Sequence, residues 1–431
     1  AALTLTNVAF AANRAGTNGG AVFVQGPAMI DGGHFERNAA GRGGALYVSG
    51  AATIRDTEFI SNAAQSNGGG VYAAAAIVVN DARFIANSAA DGAGGGLYTL
   101  QHVQVVDSAF VGNRAKEHGG GMIVWADQGV VAGAYFADNQ AERYGGGLYA
   151  QHSLDLSGTI LLRNSAGLGG GIYVGHADTT GVSVIRNCLL AGNMTPGGAD
   201  AMYLMPVWGQ GGSVGIAHTT IAGAIFSAYD AVRVDQGVLD LENSIVANHA
   251  VGIWLDTATM SGHNNLFYAN TVDVNAAFSA EETLQGQDPR FIDPGNDDYR
   301  LGDGSPAIDS ARPSTITVDL LGNPRPESGG NLPDRGAFER QHGRPDVAVA
   351  QSIQTPFGAS RLLPGDVITF TVTFSSAGSA TATGIRMYAE IPAIIALQQV
   401  VSRGPVLTEV SSGPDLRGRF RICRPASWEP S

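Results

Sequence analysis

One phrase returns seven times in the first 175 residues: Phe-x-x-Asn-x-Ala, a short polar link, Gly-Gly or Gly-Gly-Gly, an aliphatic residue and usually Tyr. The copies run from FAANRAGTNGGAVF through FERNAAGRGGALY, FISNAAQSNGGGVY, FIANSAADGAGGGLY, FVGNRAKEHGGGMI and FADNQAERYGGGLY to LLRNSAGLGGGIY. Their asparagines, Asn13, Asn38, Asn62, Asn87, Asn113, Asn139 and Asn164, are spaced 25, 24, 25, 26, 26 and 25 residues apart. A period this short and this regular requires units that stack on their neighbours, because no single unit can bury its own apolar face.

Between the Tyr of one copy and the Phe of the next lie alternating segments such as ATIRDTEF, IVVNDARF and VQVVDSAF, which read as strands. Nothing reads as a capped amphipathic helix. The expected fold is therefore all-β, a parallel β-helix whose rungs rise about 4.8 Å each. In that stack Phe10, Phe35, Phe59, Phe84, Phe110 and Phe136 form an aromatic column, and the seven asparagines form an amide ladder. Glycine clusters mark a corner that leaves no room for a Cβ. Their GG and GGG clustering, among 60 glycines in 431 residues, lacks the every-third spacing of collagen.

The pairing of Phe-x-x-Asn with Gly-Gly-(Ala/Gly)-aliphatic resembles the repeats of bacterial polymorphic outer-membrane proteins and related right-handed β-helix surface proteins. That resemblance implies a secreted or cell-surface location and a pectin-lyase-like solenoid, without specifying an activity. Looser rungs follow Gly181: SVIRNCLLAGN, SVGIAHTTIAG, DLENSIVANHAVGIWLD and MSGHNNLFYAN, with Asn193, Asn248 and Asn270 expected to continue the ladder. The link at 194–212, MTPGGADAMYLMPVWGQGG, breaks the period and is expected to loop out. Its Met202, Tyr203, Met205 and Trp208 could form an exposed contact patch, although a covering for the solenoid's side is the stronger reading.

The rungs are expected to occupy 1–272. Residues 273–341, dense in Asp, Pro and Gly, are expected to cap the stack, since a last rung exposes unpaired backbone groups. The run DPRFIDPGNDDYRLGDGSPAIDSA with VDLLGNPRP and PDRGAFE is similar to the choice-of-anchor Q domain. There Arg325 with Asp319, Asp334 or Glu339 reads as a structural ion pair. After a hinge, residues 346–413 alternate as in a small β-sandwich, and PGDVITFTVTFSSAGSATATGI resembles an Ig-like repeat of bacterial envelope proteins. This sandwich is expected to be incomplete, and 414–431 to be a disordered tail.

Composition narrows the function. A net charge of −13 disfavours nucleic acid as a partner, and the longest apolar stretch, Val71 to Val79, is too short to span a bilayer. The chain starts at Ala1 without a leader pattern, which reads as a processed product or a piece of a longer chain. Cys188 and Cys423 read as free thiols, and the expected state is a monomer.

Parallel β-helices also carry pectate lyases and polygalacturonases, so columns of side chains need weighing as sites. Three residues before each Phe stand Asn7, Gly32, Asp56, Asp81, Asp107, Gly133, Gly158 and Asn187. Asp56, Asp81 and Asp107 could share a Ca²⁺, but Asn, Asp and Gly in one column also suit a left-handed turn, the stronger reading. His152 and His176 occupy successive rungs, with Asp178 beside the second, and join Tyr203 and Trp208 as candidate ligand-binding residues. Asp230, Asp235, Asp240 and Asp256 offer further carboxylates without a clear register. No P-loop, dinucleotide fingerprint or nucleophile elbow is present. The preferred expectation is adhesion through glycans or other surface components, with no cofactor. The alternatives are a polysaccharide lyase or hydrolase and a passive stalk.

Overall fold

The computed structural model describes residues 2–341 apart from 126–127, 176–181, 206–211, 280 and 328–331, and in the rest of the chain only five strands. The chain divides into two compact units, Ala1–Arg340 and Gln341–Ser431. The first is a parallel β-solenoid. Each turn lays down a strand on each of three faces, and every strand pairs with its counterpart one repeat away.

The first face is an 11-stranded sheet running from Leu3–Thr6 to Thr259–His263. Burial alternates along its strands, as in Ile77–Asn80, so one side chain in two enters the core. The second face starts at Ala9–Ala11 and includes Glu58–Ile60, Arg83–Ile85 and Ala109–Val111. Its middle residue is the repeated Phe. Phe59 pairs with Phe84 and Phe84 with Phe110, and the ring centroids are 4.9 and 4.6 Å apart. The column extends from Phe10 through Phe35 to Phe136, and its inner members are fully buried. Beyond Phe136 the same position is held by Leu161, Leu190, Ile221, Val246 and Phe267. Burying each of these side chains contributes about 1.5–3 kcal/mol, and stacked rings add a further increment.

After the Phe strand the chain turns through a left-handed residue, Ser61 or Ala86 for example, into the asparagine. Asn62 Nδ2 donates to Asn87 Oδ1 at 3.0 Å and to the Phe59-column carbonyl of Phe35 at 2.9 Å, while its backbone N–H also reaches Asn87 Oδ1. The same pattern links Asn13, Asn38, Asn62, Asn87, Asn113, Asn139, Asn164 and Asn193. Asn248 does not continue it. Asn248 holds the left-handed position with φ 68°, and His249 stands in the ladder position, its N–H donating to Asn270 Oδ1. The slip arises because Asn serves both a left-handed corner and an amide ladder, so sequence alone does not distinguish adjacent positions.

Short strands such as Ala63–Ala64 and Ser88–Ala89 then lead to the glycine corner. A Cβ on Gly95 would sit 2.3 Å from the carbonyl oxygen of Gly120 on the next turn, which explains why no side chain is tolerated there. The third face follows, with Val71–Ala73, Leu97–Thr99 and Met122–Val124 among its strands. Its outward middle residues stack as a second aromatic column, Tyr47, Tyr72 and Tyr98, then Tyr149, Tyr173 and Tyr203.

The expected loop at 194–212 is only partly a loop. Ala199–Leu204 is a strand of the third face paired with Ile172–Val174, with Met202 in the core. The alternation Ala201, Tyr203 against Met202, Leu204 is a strand pattern hidden by the flanking irregular residues.

Of residues 273–341, all but Gln341 belong to the first unit, and the described ones lie mostly along the flank of the solenoid. Phe278 packs edge-on against Phe267 at the last turn, 6.0 Å between centroids. From Phe291 onward the segment runs back over the outer side of the second face. Tyr299, Leu320 and Phe338 cover Ala137, Leu162, Leu189, Ala191 and Ala222, and Arg163 pairs with Asp297. Arg325 is buried, 3.4 Å from Glu339 and donating to the carbonyls of Asp334 and Gly336. This strap, with its small antiparallel pair Phe291–Asp293 and Asp298–Leu301, is tied edgewise to the turns at Asn243, Asn264 and Thr220.

In the second unit Val347–Gln354 pairs antiparallel with Thr369–Ser376. Arg386–Glu390 and Glu409–Ser411 both pair antiparallel with Arg419–Cys423, a strand inside the segment expected to be an unstructured tail.

Candidate functional site

Asp56, Asp81 and Asp107 have φ of 45°, 50° and 48°, and the whole column shares the left-handed conformation, from Asn7 through Gly133 and Asn187 to His218, Asn243 and Asn264. A Cβ on Gly133 would meet Asp107 Oδ1 at 2.1 Å, so the carboxylate folds over the neighbouring corner. These residues make the turn from the first face to the second. Among the described residues no three His, Cys, Asp or Glu side chains gather as metal ligands. His152 is half-buried where the third face leads back to the first. His176, Asp178 and Trp208 lie outside the described residues. Tyr203 is 6% exposed, stacked 5.6 Å from Tyr173, and donates to Asp235 at 2.8 Å.

The solenoid loses its repeat in the turns that follow Tyr203, and polar groups gather there. Two long strands, Thr220–Val234 and Ile245–Leu255, run through the corner between the second and third faces where earlier turns bend at glycines. Their pairing slips between Ala222 and Ser227 and again between Ser227 and Asp230. Bulges of this kind re-aim side chains. They leave Phe226 and Tyr229 exposed at 56% and 39%.

Ser227 and Asp230 stand on the same strand, with Asp200 and His249 on the turns to either side of it. Asp200 is 3% exposed; its Oδ1 accepts from the Thr195 N–H at 2.9 Å and its Oδ2 from the Ser227 hydroxyl. His249, 1% exposed, holds Nε2 4.0 Å from Asp200 Oδ2. Its Nδ1 has no hydrogen bond of good geometry among the described residues, although the Ala247 carbonyl is near. Burial pushes the His249 imidazole down to about 4, so the ring is neutral and leaves Asp200 without a cationic partner. Burial also pushes Asp200 up to about 6, and the charge of Asp230 adds to that rise. Asp230, on the next turn, is pushed up to about 6 by burial, against the pull of Arg233. Among the described residues it forms no hydrogen bond or ion pair.

Arg233 is committed elsewhere. Its Nε donates to Asp235 at 2.9 Å, and its guanidinium lies 5.6 Å from the centroids of both Tyr203 and Trp254. Burial, then the neighbouring Asp235, raises the Tyr203 phenol above its usual range. The corner therefore combines exposed aromatic rings, two partly shielded carboxylates, a hydroxyl and a stacked guanidinium. This inventory suits hydrogen bonding to hydroxyl-rich ligands with apolar ring contact.

Of these residues, the sequence pointed to Tyr203, Asp230 and Asp235. Asp200, Ser227, Phe226, Tyr229 and His249 were missed, and the available signal was the loss of the Gly-Gly corner after Asp200. No family model matches the chain, and no curated protein matches it either.

Proposed function

We propose that this solenoid is a secreted or cell-surface adhesion protein that binds glycans at the irregular corner around Asp200, Asp230, Phe226 and Tyr229. The observation that carries this reading is the exposed aromatic pair standing beside carboxylates and a hydroxyl at the place where the repeat breaks. Elsewhere the outer aromatic column of the third face is nearly buried at Tyr72, Tyr98, Tyr149, Tyr173 and Tyr203 and stacked ring on ring there, so those faces are closed to a sugar. The regular turns supply a stiff mount. Their likeness to polymorphic outer-membrane protein repeats in a right-handed β-helix, the choice-of-anchor Q-like segment and the Ig-like stretch support display on a bacterial surface as a monomer.

The test is a glycan array probed with the full chain and with a Phe226→Ala/Tyr229→Ala double variant. Loss of the bound glycans on the double substitution, with the circular dichroism unchanged, supports the corner as the site. Retained binding moves the site elsewhere, and absence of binding to any glycan removes the reading.

A further inference from the structure

We propose that the saccharide taken by this corner carries a protonated amine, and that Asp230 is its counter-ion with Asp200 as a second negative charge behind it. The inference rests on the glycan-binding reading above and names the ligand class.

Three observations on the page support it. First, Asp230 is partly exposed and its carboxylate has no polar partner among the described residues, while Arg233 beside it is held by Asp235 and lies between Tyr203 and Trp254. Second, Asp200 is buried with only neutral donors, Thr195 and Ser227, so its charge is not cancelled locally. Third, His249 is buried with its ring turned toward Asp200, lacks a good partner at Nδ1 and stays neutral there. A partly desolvated carboxylate pair without a cation is costly, and an incoming ammonium relieves that cost through a charge-assisted hydrogen bond. The exposed rings of Phe226 and Tyr229 add a surface for the sugar's apolar side and for the cation itself.

A uronate-bearing polymer fits poorly. Its carboxylates would meet Asp200, Asp230 and Asp235 on a chain of net charge −13. A neutral sugar would bind through the rings and hydroxyls but leave the carboxylates as they are.

The experiment compares calorimetric binding of the full chain to glucosamine oligosaccharides, their N-acetylated counterparts of equal length and oligogalacturonate. The expected result is a preference for the amine form on the order of tenfold at low salt, shrinking as salt is added. Asp230→Asn, which keeps shape and removes charge, is expected to abolish the preference for the amine form, so that both forms bind alike. Asp240→Asn on the first face changes the net charge equally and is expected to leave the preference in place. Equal affinity for both forms, or a preference that survives Asp230→Asn, overturns the inference while the glycan-binding reading stands. If no saccharide of any kind binds, both fall together.

Discussion

Asparagine in the ladder acts as donor and acceptor at once. Asn87 donates to Phe59 O and Asn113 Oδ1 and accepts from the N–H and Nδ2 of Asn62, all in a fully buried position. Asn87→Ala leaves the Asn62 N–H without its acceptor and removes one hydrogen bond each from Phe59 O, Asn113 Oδ1 and Asn62 Nδ2, the last two of which keep the Asn87 N–H and Phe35 O as partners; an unsatisfied buried group costs roughly 1–3 kcal/mol, so local opening around turns three to five should become easier by at least about that much. Asn87→Asp is the sharper probe. It keeps the shape and the acceptor but loses the donor and buries a charge, so it is expected to be no better than Ala. Hydrogen exchange at the amides of Asn62 and Asn113 reads both, since long repeat arrays need not unfold in one step. Protection that stays at its wild-type level in either variant refutes the ladder's energetic role. Asp81, by contrast, serves a left-handed corner, so Asp81→Asn should be nearly neutral and Asp81→Val should cost about 1–2 kcal/mol.

The strap along the second face shows how far elements were legible. Strand positions in the regular turns follow from the period, since register and hydrophobic alternation are set by the same residues. The path of 287–340 does not follow from it, because its contacts reach back more than a hundred residues, as Thr220 to Ala337 does. A signal was nevertheless present. At the first outward position of the second face, polar His34, Glu58 and Arg83 in the early turns are replaced later by apolar Ile160, Leu189 and Ile245, which calls for a cover. The irregular corner was illegible for a different reason: bulged pairing has no period to read. Removing the Tyr299 ring, fully buried under the strap, should cost about 3–5 kcal/mol locally and make 291–340 protease-sensitive while the first face stays folded. Cleavage no faster than in the wild type would count against the strap's packing.

The strap joint also carries a pH dependence with opposed parts. Burial, then Arg325 beside it, pulls His218 down to about 3, so its contribution is present above about 6.5 and is lost as pH falls toward 3. Burial pushes Glu339 up to about 7 and Asp334 up to about 6, so their contributions are present at low pH and are lost as pH rises through those values. Between pH 5 and 6.5 the two trends oppose each other. His218→Asn, a residue type already tolerated at this corner by Asn243 and Asn264, removes one of them. The variant's strap should then gain hydrogen-exchange protection steadily on acidification over that window, while the wild type changes less. Parallel pH profiles for the two proteins would show that His218 is not part of the balance.

At the scale of the whole molecule, each turn of the first unit touches chiefly the turns beside it, so stability is a sum of turn and interface contributions. Deleting residues 63–87 removes one 25-residue period and joins Asn62 to Ser88, a junction that keeps the asparagine, the left-handed corner before it and the glycine corner after it in place. Phe59 would then stack directly on Phe110, and Asn62 would donate to Asn113. The shortened chain is expected to fold, with an unchanged β-sheet circular dichroism signature per residue and a solenoid about 4.8 Å shorter by small-angle scattering. Deleting twelve residues from the same region, 63–74, is expected to fail, because half a period turns core side chains of one turn against corners of the next. The proposed binding corner lies several turns away, so on that proposal glycan affinity should survive the 25-residue deletion unchanged. If the full-period deletion unfolds the protein as thoroughly as the half-period one, the turns are not independent units. If it folds but loses the glycan, the corner is coupled to the regular turns rather than merely mounted on them.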